Sequence, residues 1–202
     1  MNRRDLFKTL IGPIVFATAQ RTFAIANQDI LQGFQKTYRG ANNVSCAFSS
    51  ETGVAGTLVA QKGGSYRVEM PDRTIVCDGK SVWSSTTSAR TVIINRYSAS
   101  STDLSLEKIF LEIMNIYRCT ILEQRSQGGR IRLTPPDSQT IIAGVTKADV
   151  SLDAAFHATN MTITQNGTTQ TFGISKTVIN GKLPKGCFAY QLPRGWEVVD
   201  LR

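Results

Sequence analysis

The chain is poor in the residues that most enzyme chemistry needs. One histidine, His157, occurs in 202 residues, and no Gly-x-Ser-x-Gly elbow, phosphate-binding glycine loop or His-Glu-x-x-His segment is present. The four cysteines, Cys46, Cys77, Cys119 and Cys187, stand far apart without Cys-x-x-Cys spacing, which argues against a zinc site or a thioredoxin-type motif. Acyl or glycosyl transfer needs a nucleophile with its base, or paired carboxylates, in one cleft. No such constellation stands out, and His157 falls in the loop-like stretch Ala155-Phe156-His157-Ala158. The expectation is a protein that is not an enzyme and uses no metal or other cofactor.

Runs of like charge are also missing. The sequence carries 23 Lys and Arg against 15 Asp and Glu, a formal charge of +8, but the bases are scattered, so neither a nucleic-acid groove nor a polybasic membrane patch is indicated. Part of the excess belongs to the N-terminus. Arg3, Arg4 and Lys8 precede an apolar run from Thr9 to Ala19, with small residues at Ala24 and Ala26, the order of an export signal. The run has about half the length of a membrane-spanning helix. Asn2-Arg3-Arg4-Asp5-Leu6-Phe7-Lys8 resembles the twin-arginine version of such a signal; a general secretory signal is the alternative. Residues 1–26 are therefore read as a leader and residues 27–202 as one domain, soluble after cleavage because no acylatable cysteine follows the leader. In an oxidising compartment one or two disulfides can form, with three complete pairings open.

What is present is periodicity. Ile30, Phe34 and Tyr38 recur every fourth residue, which predicts an amphipathic helix across Gly33. After Gly40 the period falls to two: Val44, Cys46 and Phe48 alternate with small or polar residues, as do Tyr66, Val68 and Met70. Gly63-Gly64, Pro71-Asp72, Asp78-Gly79, Gly128-Gly129, Pro135-Pro136-Asp137, Asn166-Gly167 and Asn180-Gly181 punctuate the strands as turns. Between Asp103 and Ile116, Leu106, Ile109, Phe110, Ile113 and Met114 share one helical face. The fold class is α+β: one curved antiparallel sheet with two amphipathic helices packed on its concave side.

The order of these elements resembles the periplasmic outer-membrane lipoprotein carrier family, LolA. The likeness rests on Val44-Ser45-Cys46-Ala47-Phe48, Gly56-Thr57-Leu58, Tyr66-Arg67-Val68-Glu69, the stretch Thr74-Ile75-Val76-Cys77-Asp78-Gly79-Lys80-Ser81-Val82-Trp83, Leu133-Thr134-Pro135, Asn166-Gly167, and the closing Phe188-Ala189-Tyr190-Gln191-Leu192-Pro193-Arg194-Gly195. It implies an incomplete β-barrel of about ten or eleven strands closed by helices around an apolar cavity. Phe48, Leu58, Tyr66, Val68, Met70, Ile75, Ile109, Phe110, Ile113, Met114, Phe188 and Tyr190 would line that cavity, and the helix around Phe110 would be a movable lid. Lys62-Gly63 stands where the family usually has Arg-Pro, which makes Lys62 the candidate gate, without the planar fork of arginine. The function implied is a monomeric periplasmic shuttle for acylated lipoproteins, loaded by an inner-membrane ABC-type extractor and unloaded to an outer-membrane acceptor. Carriage of another lipid or a glycolipid, or lipoprotein sensing on the same fold, are the alternatives.

Overall fold

The computed structural model describes residues 30–98, 108–125 and 128–202. The leader and the first turns of the second predicted helix lie outside the described residues. Twelve strands form one sheet: β1 (Asn43–Ser50), β2 (Ala55–Gln61), β3 (Ser65–Glu69), β4 (Arg73–Asp78), β5 (Ser81–Thr86), β6 (Thr91–Arg96), β7 (Arg118–Gln124), β8 (Gly129–Thr134), β9 (Val145–Leu152), β10 (Ala158–Gln165), β11 (Thr168–Ile179) and β12 (Glu197–Asp200). Their order is β12-β6-β5-β4-β3-β2-β1-β11-β10-β9-β8-β7. Two meanders, β1–β6 and β7–β11, thus lie side by side, joined where β1 pairs with β11. The strand number corrects the expected ten or eleven. The sheet runs open from β12 to β7, so the described residues form an open sheet with two short helices.

Local chemistry sets the hairpins. At Asp78-Gly79 the carboxylate accepts from the N–H groups of Lys80 and Ser81, both at 2.8 Å, while Gly79 takes φ +87°. Asn166 and Gly167 both have positive φ, the requirement of a tight turn that matches strand twist. Asn180-Gly181 is no hairpin. Asn180 takes the N–H of Asn42 on its side-chain oxygen at 2.7 Å, ends β11, and starts a strap, residues 181–196, that leads to β12. There β12 adds to β6 in parallel, the one departure from an antiparallel sheet.

The two helices cover one face, here called the inner face. Helix α1, residues 30–39, inserts Ile30, Phe34 and Tyr38 into the core. Its Gly33 admits the ring of Phe156, which lies where a β-carbon would stand. Helix α2, residues 108–116, contributes Ile109, Phe110, Ile113 and Met114 to the same cluster. Tyr38 joins the helices: its ring lies 5.2 Å from Phe34 and 6.3 Å from Phe110, centroid to centroid. Its hydroxyl accepts from the N–H of Ala158 at 2.9 Å, and burial pushes the phenol up to about 12. Tyr38→Phe should therefore leave a buried N–H unpaired and lower the unfolding free energy by about 1–3 kcal/mol. Urea unfolding should show the midpoint falling with an unchanged slope.

Candidate functional site

Cross-strand register orders the inner face into rows. One row runs Leu58, Val68, Ile75, Ser84, Ile93 and Val199, from β2 out to β12. The next runs Ala60, Tyr66, Cys77, Val82 and Asn95. Cover thins along the first row as far as Ile93, beyond which Val199 is half-buried, and along the second to its end. In the first, Leu58 is 0% exposed, Val68 8% and Ile93 39%, with Ile75 and Ser84 half-buried between. In the second, Ala60, Tyr66 and Cys77 are buried, Val82 is half-buried and Asn95 is exposed. Ile75 and Val82 pack against the buried cluster. The core therefore grades into an open apolar track across β4, β5 and β6. From Val68 to Val199 the row crosses four strand spacings, about 19 Å.

Of the expected lining, Phe48, Leu58, Tyr66, Val68, Ile109, Phe110, Ile113 and Met114 are brought together but are buried in one cluster. Met70 and Ile75 are half-buried at its margin. Within α2 the backbone widens into a π-helical turn over Ile109–Ile113, the N–H of Met114 donating to the carbonyl of Ile109. The hydroxyl of Tyr117, just beyond α2, donates to the carbonyl of Val145 at 2.6 Å and accepts from the N–H of Ile142 at 3.0 Å, which fastens the end of α2 to β9. Glu112 on the same helix has its carboxyl pushed up by burial, opposed by the charge of Lys108.

Phe188 and Tyr190 are elsewhere. Tyr190 stacks on Trp83, centroids 6.0 Å apart and planes within 10°. Trp83 pairs with Val76 and Ile94, alternating in strand position with the inner residues Ile75, Cys77 and Val82. The strap thus crosses the outer face, where Val76, Val92 and Ile94 are also buried. This removes both aromatics from the inner lining. Under the strap lies a cleft of about 590 Å³ between Gln61, Asp78, Trp83, Leu183, Pro184 and residues 186–190, and beside it one of about 330 Å³ at Arg67, Glu69 and Cys187.

Lys62 is exposed in the turn between β2 and β3, its backbone N–H donating to the carbonyl of Asn42 at 2.8 Å. Among the described residues its ammonium makes no ion pair. Sequence reasoning missed Val82, Ser84, Ile93 and Val199. The segments holding the first three, Ser81–Thr86 and Thr91–Arg96, have no clean alternation, and only strand register assigns their faces.

Among the described residues no group of His, Cys, Asp and Glu is arranged to hold a metal ion. All four cysteines are thiols; burial pushes Cys46 up to about 12 and Cys119 up to about 11, far from the thiolate form needed for nucleophilic attack. His157 Nδ1 stands 3.8 Å from Asp153 Oδ2 at the turn before β10. No helix among the described residues is long and apolar enough to cross a membrane.

The sequence matches no family model, and no curated protein matches it. Solved structures share its shape. An uncharacterized conserved protein from Thermus thermophilus is 12% identical with a TM-score of 0.53, over 87% of this chain and 99% of that one. LprF from Mycobacterium bovis is 11% identical with a TM-score of 0.47, over 86% and 98%. The Mycobacterium tuberculosis lipoprotein LppX is 9% identical with a TM-score of 0.42, over 82% and 99%. At such identity the first of these is a likeness of fold, and the lower scores of the other two add nothing to it.

Proposed function

We propose that the chain is a periplasmic carrier that holds acyl chains on the inner face of its sheet and moves acylated lipoproteins between membranes without catalysis. The observation that carries this reading is the graded row from Leu58 to Ile93. An acyl chain laid along it would extend the apolar core without opening it. Each methylene removed from water contributes about 0.8 kcal/mol, so full burial of a chain of about 16 carbons would yield on the order of 12 kcal/mol. A half-open track recovers part of that, enough to escort a ligand yet leave its release within reach of a receptor. Sequence resemblance to the lipoprotein carriers supplies the direction of traffic: loading by an inner-membrane ABC-type extractor, unloading to an outer-membrane acceptor. Native mass spectrometry of the protein recovered from the periplasm tests the cargo. A mass increment of an acylated protein supports the reading, one of lipid size replaces lipoprotein by lipid, and recovery only from the cytoplasm sinks it.

In this scheme Lys62 is the gate, at the rim of the turn opened by Gly63-Gly64. One exposed charge contributes about 1 kcal/mol or less to stability. Lys62→Leu should therefore fold and load normally but pass cargo on more slowly in a two-step loading and hand-off assay. Unchanged hand-off would reduce Lys62 to a solvated side chain.

A further inference from the structure

A cation reaches the open part of the track. Arg73 opens β4 on the inner face, two residues before Ile75, and its Nε donates to Ser84 Oγ at 3.1 Å. Ser84 lies directly opposite Ile75 on one side and Ile93 on the other. The guanidinium is thus drawn over the one polar break in an otherwise apolar row. Its remaining N–H groups form no ion pair among the described residues. The adjacent carboxylate, Asp72, is turned away to Ser88, accepting from its N–H at 2.7 Å and its hydroxyl at 2.6 Å. The row beside the track is polar, Arg73-Thr86-Thr91-Glu197. Its one acid, Glu197, stands at the far end, three strand spacings or about 14 Å from Arg73.

An apolar row flanked by a polar one, with a guanidinium free of ion pairs among the described residues at their junction, is complementary to an amphiphile of a particular charge. We infer that the ligand of this track is an anionic amphiphile, its acyl chain along Ile75, Val82 and Ile93 and its carboxylate or phosphate head on Arg73. The inference rests on the acyl-binding part of the reading above and departs from it in cargo: a neutral acyl glycerol, the uncharged anchor of a lipoprotein included, would leave Arg73 without its partner, so the mass increment it expects is one of lipid size. Guanidinium suits either oxyanion because its planar fork donates two parallel hydrogen bonds. Nε already bonds Ser84, so the two Nη groups are the ones left to face the head.

The test uses a matched pair of probes on the mature protein: a dansyl-labelled undecanoic acid and its methyl amide, which share chain and fluorophore and differ in charge. The parent should bind the acid about tenfold more tightly, the scale of one charge-assisted contact at a half-open rim. Arg73→Gln should bring the two within about twofold by weakening only the acid, and Arg73→Lys should keep part of the preference as a point charge. Raising the salt concentration should shrink the preference in the parent and leave the amide unaffected. Phosphate-headed and carboxylate-headed lipids then compete for the same probe and distinguish the two head groups. Equal binding of acid and amide by the parent, or a preference that survives Arg73→Gln, overturns the inference while the acyl-binding reading stands. Failure of both probes to bind overturns both. Arg73 is exposed, so an unchanged thermal melt of Arg73→Gln shows that any loss is one of recognition.

Discussion

Ile113→Asp is expected to cost more than about 4 kcal/mol and to leave little folded protein at 37 °C. Ile113 is 0% exposed, as is Phe110 beside it, and both belong to the cluster that unites α1, α2 and the inner face. Two costs add there. Shortening the side chain forfeits packing, for which buried Ile→Ala changes give about 2–5 kcal/mol, and a carboxylate must enter an apolar cluster closed to water. Ile113→Val, which removes one methylene, should cost only about 0.5–1.5 kcal/mol. Thermal and urea unfolding of both variants reads this grading. It also decides what α2 is. A helix that swings away as a lid would expose Ile113 to water, so Ile113→Asp would keep near-parental stability and lose only ligand uptake. Core packing through Tyr38 and the tie of Tyr117 to Val145 and Ile142 favour the first outcome.

The same contrast marks what can be read in the sequence. Turns such as Asp78-Gly79 and Asn166-Gly167 are legible because four residues contain their whole cause, a side-chain acceptor or a pair of positive φ angles. Val44, Cys46 and Phe48 declare their face because their neighbours are small or polar. Helix α2 announces its stripe, yet periodicity records only that the stripe is apolar; whether it meets packed core or an empty cavity depends on what lies opposite. Phe188 and Tyr190 fail for another reason. Their segment, with Pro184 and Pro193, has no period, and its path over Trp83 is set by pairing of β12 with residues about a hundred positions earlier. Ile93 sits between Val92 and Ile94, so the sequence marks both faces of β6 as apolar. The strap side turned out covered, and the side facing the helices partly open.

That opening makes Ile93→Asp the sharpest functional counterpart to Ile113→Asp. Ile93 is 39% exposed and lies on the inner face between Ser84 and Val199, so an aspartate there keeps much of its hydration. The stability change should stay within about 1 kcal/mol. Binding should suffer far more. A fixed negative charge in the middle of the track must be desolvated by any acyl chain that lies across it, and it repels an anionic head held nearby at Arg73. Loss of about two methylenes' worth of contact alone weakens binding by roughly tenfold, so affinity for an apolar fluorescent probe should fall at least that far, with the melting temperature nearly unchanged. Ile93→Leu, which keeps volume and polarity, should bind as the parent does. If Ile93→Asp binds the probe normally, the ligand does not follow the row from Val68 to Val199, and an acyl site, where one exists, must open within the cluster around Phe110 instead.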